Sequence, residues 1–336
     1  MTFSKWLLFL WRLYRFSDGF FARRVMWLWE FGASVETAGR ALLLSEGLYH
    51  GPLTGEFNEP FEVPFALNYG ITGVGLYALS SSEIVPCLYT PGSLDVSELT
   101  PHPFQLGGPF FEAILQVFGK DFEWIVRDLI VVETGPMELQ YDPGDPIQTT
   151  THTGQLGAPV QWGSSRGFLT AGHVGQKSGT TITDASLSKV GSVVYALDPT
   201  GKSATPGIDV AVVEVPYGTP WGNTLGITGT SVATPLAAID VYRRSTPNPV
   251  ASSVRSKADW WVVTAPSTPS TTLRAIYLSS TGVTSGGDSG GPVLLQGTTK
   301  IIGHVAAGGA AASCIQDVRR QLRKIKSDPT FSSIHI

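Results

Sequence analysis

A chain of 336 residues is long enough for two domains, or for one two-lobed domain with an extension. Apolar residues make up 42% of it and charged residues only 15%, which excludes overall disorder, while 38 glycines and 23 prolines suit many tight turns between short strands. The net charge of −4 gives no electrostatic reason to expect a nucleic acid as partner, and two cysteines, Cys87 and Cys314, can build neither a disulfide framework nor a zinc site. That cysteine usage fits a reducing compartment, such as the cytoplasm.

At the start of the chain, no uncharged apolar run approaches the ~18 residues that span a bilayer. Arg12 cuts short the apolar stretch Trp6 to Trp11 and no small-residue cleavage site follows closely, so neither a transmembrane helix nor a signal peptide is expected. Lys5 to Phe16 instead predicts a basic amphipathic helix, since at about 100° per residue Lys5, Arg12 and Arg15 share one sector of ~80°. Ser17-Asp18-Gly19 interrupts it, and a second basic aromatic patch follows at Arg23, Arg24, Trp27 and Trp29. Residues 1–29 have the composition of a segment that could lie in a membrane surface as a peripheral anchor or contact a partner protein. The alternative is that their apolar faces pack within the chain itself.

A further helix is predicted from Ser34 as N-cap to near Gly47. Short strands follow at Phe61–Leu67, Gly73–Leu79 and Ile84–Tyr89, and helical periodicity returns from Phe110 to Val131. Residues 1–140 thus read as a separate α+β module without a catalytic motif. The run from Tyr141 to His152, with two prolines and a string of threonines, marks a boundary. Beyond Gly157 the pattern is of short β segments, and only Ser313–Lys326 predicts a helix, with Ile315, Val318 and Leu322 on one face.

The chemistry lies in this second part. Gly287-Asp288-Ser289-Gly290-Gly291-Pro292 surrounds a serine with residues that let the backbone turn sharply and aim amide groups at one point. A serine nucleophile also needs a base, and Thr170-Ala-Gly-His173 presents a histidine at the end of an apolar strand. The base needs a partner that fixes its tautomer, and Asp209 opens the apolar strand Asp209-Val-Ala-Val. In this order the three motifs resemble those of the chymotrypsin-like (trypsin-like) serine proteases, over residues 145–328.

The resemblance implies a mainly β fold of two six-stranded antiparallel barrels with a C-terminal helix, occupying residues 141–336. It implies a serine endopeptidase acting on protein or peptide substrates without cofactor or metal. His173 would be the general base, Asp209 its orienting partner and Ser289 the nucleophile, with the amides of Gly287 and Ser289 as oxyanion hole. Asp288 corresponds to a residue that in zymogen-derived members receives a new N-terminus; the sequence names no partner for it.

In the same family the base of the primary pocket lies six residues before the nucleophile, here Val283, with Thr284 beside it. Without a carboxylate there, Lys or Arg before the cut is disfavoured. The opposite wall would come from Ile301–Gly308, including His304, Ala306 and Gly308. Thr284 and His304 resemble the hydroxyl and imidazole that hold Glu or Gln side chains in glutamyl endopeptidases and picornaviral cysteine proteases, which makes Glu or Gln one expectation and a small or apolar residue the other. His304 follows Gly303 directly, whereas both families place one residue between them, and a one-residue slip on a strand turns a side chain to the opposite face.

Two other functions compete. Gly287-Asp-Ser-Gly-Gly291 also satisfies the nucleophile elbow of α/β-hydrolases, which would require Asp317 and His335 to follow as acid and base. A protease-like domain could also serve as a scaffold or binding module, although all three triad members are present.

Overall fold

The computed structural model describes Trp11 and residues 20–50, 70–92, 128–134, 138–139 and 147–336, except 185, 201–206, 219–221, 224, 245, 247, 266 and 267. The expected helix over Lys5–Phe16, Trp11 apart, and the expected strand over Phe61–Leu67 lie outside these residues. So does the expected helix from Phe110, except at its end, where the structure has a strand. The chain divides into two compact units. One takes Met1–Thr134 together with Ser256–Trp261, and the other takes Gly135–Arg255 and Val262–Ile336.

In the first unit, helices α1 (Phe20–Trp29) and α2 (Val35–His50) accompany strands β1 (Gly73–Ala78), β2 (Ile84–Thr90) and β3 (Ile130–Glu133). Helix α1 stops where Gly32 adopts φ 95°, a conformation that a residue with a Cβ rarely takes. Ser34 then caps α2 as expected, its Oγ accepting from the Thr37 amide at 3.0 Å. From Ala38 to Ser45 helix α2 is buried on every side, with Leu42, Leu43 and Leu44 among its largest side chains, and α1 buries Val25 and Leu28. Of the basic aromatic patch, Arg24 and Trp27 are buried as well, whereas Trp29 and the neighbouring Met26 are exposed. β1 pairs antiparallel with β2 and with Ser256–Trp261, in the register Gly73 to Trp261 and Tyr77 to Ser256. That segment has no turn or composition shift to mark it, because it is the middle of a 16-residue strand.

The second unit is built from strands. They are β4 (Glu138–Leu139), β5 (Ile147–Gln148), β6 (Thr153–Gly154), β7 (Pro159–Trp162), β8 (Ser165–Thr170), β9 (Thr181–Thr183), β10 (Lys189–Leu197) and β11 (Val210–Glu214). Then come β12 (Gly229–Thr230), β13 (Ala238–Val241), β14 (Val250–Ala265, without the Ser256–Trp261 of the first unit), β15 (Thr268–Ser279), β16 (Pro292–Leu295), β17 (Lys300–Gly308) and β18 (Ser313–Asp317). A first sheet has the order β6-β5-β9-β10-β11-β8-β7. In a second, the path β13-β16-β17-β18-β15-β14 returns to β13, so it closes on itself as a six-stranded barrel. A mainly β fold of two sheets with a C-terminal helix is what the sequence resemblance implied.

Strand β11 shows how the first sheet is filled. Its apolar run Val210-Ala-Val-Val is buried on both faces: Val210 and Val212 enter one core with Leu169, Ile301 and Leu322, while Ala211 and Val213 enter another with Val174, Ile182 and Val193. A strand with two buried faces reads as a continuous apolar run instead of an alternating one. The expected helix over Ser313–Lys326 is corrected: Ser313–Asp317 is strand β18, and only Val318–Ile325 is helical, as α4. Asp317 makes the break. Its Oδ1 accepts from the Arg319 amide at 2.8 Å, so it is an N-cap, and Val318, Leu322 and Ile325 then face the core.

Candidate active site

Strand β8 ends at Thr170, and Ala171, in extended conformation, leads into a single helical turn, α3 (Gly172–Gly175). A Cβ on Gly172 would lie 1.8 Å from the Leu197 carbonyl oxygen, so the small residue before the histidine is a steric requirement. The turn delivers His173 against Asp209, the residue that precedes β11. His173 Nδ1 is 2.7 Å from Asp209 Oδ2, and the His173 amide donates to Asp209 Oδ1 at 2.8 Å. Both carboxylate oxygens are thus directed at one residue, and both side chains are buried. With its proton on Nδ1, the imidazole keeps Nε2 as the basic nitrogen.

Ser289 is fully buried in the turn that precedes β16. Gly287 at φ 85° and Gly290 at φ 86° make the two sharp bends on either side of it. The turn is held from several directions: Gly290 N–H donates to Val305 O, Val305 N–H to Gly291 O, and Gln155 N–H to Ser289 O, all between 2.8 and 2.9 Å. Gln155 also accepts from Thr170 Oγ1 through its carbonyl and donates through Nε2 to Asp288 Oδ1. It therefore links the strand that ends before His173 to the turn that carries Ser289, a role that no sequence motif announces.

Asp288, for which the sequence named no partner, has internal ones. Its carboxylate accepts from the Ser285 amide at 2.9 Å, the Arg244 amide at 3.0 Å and Arg243 Nε at 3.3 Å. His152 is another residue the motifs missed; burial, and secondarily the charge of His173, hold its pKa below the usual histidine range.

Of the residues expected to line the substrate pocket, Val283 and Thr284 meet Ser313, and His304 meets Ala158 and Gln321. Ser313 Oγ gathers the amides of Val283 and Thr284 at 3.1 Å, and Thr284 Oγ1 donates to it at 2.8 Å. Val305, Ala306, Ala307 and Gly308 form a buried, small-residue stretch of β17. His304 does not offer its ring to a substrate: Nε2 accepts from the Ala158 amide at 3.0 Å and Nδ1 is 2.7 Å from Gln321 Oε1. The expectation that His304 holds a Glu or Gln side chain therefore meets a ring whose two nitrogens both have partners within the chain. Burial lowers the imidazole pKa to about 4, with the Gln321 bond opposing part of that shift. Asp317, the acid that an α/β-hydrolase reading required, is committed as the cap of α4 and also accepts from Tyr277 Oη at 3.1 Å.

Among the described residues, no group of His, Cys, Asp and Glu side chains could hold a metal ion, and no helix is long and apolar enough to cross a membrane.

No family model matches the sequence, and no curated protein matches it. Solved structures do match. A glutamic acid specific serine protease, described as using a histidine triad in substrate binding, is 20% identical, with a TM-score of 0.44, over 57% of this chain and 98% of its own. The chymotrypsin of Cellulomonas bogoriensis is 19% identical, with a TM-score of 0.40, over 59% and 98%. Protease A of Thermobifida fusca is 22% identical, with a TM-score of 0.41, over 54% and 93%.

Proposed function

We propose that this chain is a serine endopeptidase acting through His173, Asp209 and Ser289. The observation that carries the reading is the paired contact of Asp209 with both the ring and the amide of His173, at 2.7 and 2.8 Å in a buried setting. This is the arrangement a general base needs if its tautomer is to be fixed and its protonated form stabilised. In the reaction, Ser289 Oγ attacks the scissile carbonyl while His173 Nε2 takes its proton. The proton passes to the leaving amine as the C–N bond breaks, and water then releases the acyl group by the same route in reverse. The amides of Gly287 and Ser289 are the proposed donors to the oxyanion.

A small or apolar residue before the cut is the preference we favour. Val283 brings no charge, the Thr284 hydroxyl is spent on Ser313, and both ring nitrogens of His304 are engaged. The test is cleavage of a peptide library by the full chain and by Ser289→Ala. The wild type should cut, and the variant should lose nearly all turnover, leaving at most ~10³- to 10⁴-fold over water. Retention of the wild-type rate by Ser289→Ala would overturn the assignment.

A further inference from the structure

Behind Asp209, within the second unit, lies a chain of buried polar groups that the triad reaction does not use. It begins at the Ala158 amide, which donates to His304 Nε2 at 3.0 Å. Because Nε2 accepts, the ring proton sits on Nδ1 and goes to Gln321 Oε1, 2.7 Å away. That bond fixes the orientation of the Gln321 amide, whose Nε2 donates to Asp209 O at 3.0 Å and to Gln316 Oε1 at 3.2 Å. Gln316 Oε1 also accepts from the Asp209 amide at 2.8 Å, and Gln316 Nε2 donates to Arg274 O at 2.9 Å and Gly207 O at 3.3 Å. Two glutamine side chains thus hold the N–H and the C=O of the residue whose carboxylate meets His173.

The arrangement is built for this purpose. His304, Gln316 and Gln321 are all buried, and His304 and Gln316 sit opposite each other on β17 and β18. A Cβ on Gly157 would lie 2.3 Å from both Cδ2 and Nε2 of His304, so the connection between β6 and β7 leaves room for the ring only because residue 157 is glycine. Each member has one workable donor and acceptor assignment. Reversing any amide or protonating the ring would set two donors against each other.

We propose that His304 and Gln321 are positioning residues for the triad, fixing the backbone of Asp209 so that its carboxylate presents both oxygens to His173. The inference rests on the serine endopeptidase reading. It assigns to His304 a task in turnover, in place of one in substrate selection.

The test uses the full chain, two matched peptide substrates with Leu or Glu before the cut, and a fluorophosphonate that labels active serines. Turnover is expressed per labelled site, which removes any loss due to misfolded protein. His304→Phe, which breaks both ring bonds, should lower kcat by between about 10- and 100-fold with KM unchanged and by the same factor for both substrates. It should also shift the acid limb of the pH–rate profile, because a displaced Asp209 stabilises the His173 imidazolium less. His304→Asn, which can still donate to Gln321, should recover most of the rate. Gln321→Met should reproduce the His304→Phe defect and serves if His304→Phe does not fold. Unchanged turnover per labelled site in these variants, with an unchanged profile, would overturn the inference, as would a loss confined to the Glu substrate. Failure of the wild type to label, or cleavage by Ser289→Ala, would instead strike at the endopeptidase reading itself.

Discussion

Arg24 and Asp259, 235 residues apart in sequence, form a buried ion pair in the first unit, with Arg24 Nε donating to Asp259 Oδ1 at 3.0 Å. Ser45 Oγ adds a donor to the same carboxylate at 2.5 Å, and Trp260 Nε1 donates to the Ser45 carbonyl at 3.2 Å. Helices α1 and α2 and the segment Ser256–Trp261 are therefore one polar and apolar assembly. Removing one member of a buried pair leaves the other charge uncompensated and costs about 3–5 kcal/mol. Asp259→Ala should lower the melting temperature markedly. Deleting residues 1–29, which include the buried Arg24, Val25, Trp27 and Leu28, should do at least as much, as read by circular dichroism. A truncated protein that melts like the intact one would show that α1 is a separable appendage, available for a membrane surface.

The reaction proposed for Ser289 requires a neutral His173. Turnover should accordingly fall as the pH drops through the pKa of that histidine, which in an unperturbed imidazole is ~6.5. A chelator should leave the rate unchanged. Activity abolished by the chelator and restored by zinc would point to another mechanism.

His304 gives a second pH dependence, in stability. The folded chain keeps this ring neutral down to about pH 4, because burial opposes its charge. The unfolded chain binds the proton at ~6.5. Between those values the unfolded state holds more protons, so stability declines as the pH falls from about 6.5 to 4, by roughly 3 kcal/mol from this group, and no further below that. Denaturant unfolding at several pH values should show this slope in the wild type and a shallower one in His304→Phe. Equal slopes would mean that the ring is not kept neutral by its surroundings.

For Asp288, the internal donors set a ranking. Arg243→Ala removes a partly exposed contact at 3.3 Å, while the Ser285 and Arg244 amides remain, so kcat should fall only about fivefold. Asp288→Ala removes the buried acceptor that Gln155, Arg243, Arg244 and Ser285 share, and should cost far more. Steady-state kinetics on both variants decides this; equal losses would contradict the proposed support of the turn.

The residues of the proposed triad stood out in the sequence because nucleophilic catalysis demands particular residue types, and Gly172 and Gly287 follow from the tight geometry around them. The pocket stood out less: Thr284 and His304 have the right chemistry near the right place, but the position of a side chain on a strand depends on a single-residue register that spacing alone does not fix. The helix expected over Ser313–Lys326 failed because Ile315, Val318 and Leu322 lie at helical spacing while Asp317 between them is a cap. Gln155, Gln316 and Gln321 belong to no motif, since an amide that orients a backbone group needs only to reach it. Ser256–Trp261 gave no sign of joining the first unit, because strand β14 runs through it without a break in pattern.

Cys87 lies in the first unit and Cys314 in the second, both as fully buried thiols outside any disulfide, whose pKa values burial raises above the usual range. Neither should react with a thiol-specific reagent while its surroundings stay closed, since the thiolate is the reactive form and burial disfavours it. Each cysteine is thereby a clock for the opening of its own unit. Alkylation of the native chain over time, read peptide by peptide, would report two opening rates from one sample without any engineered label.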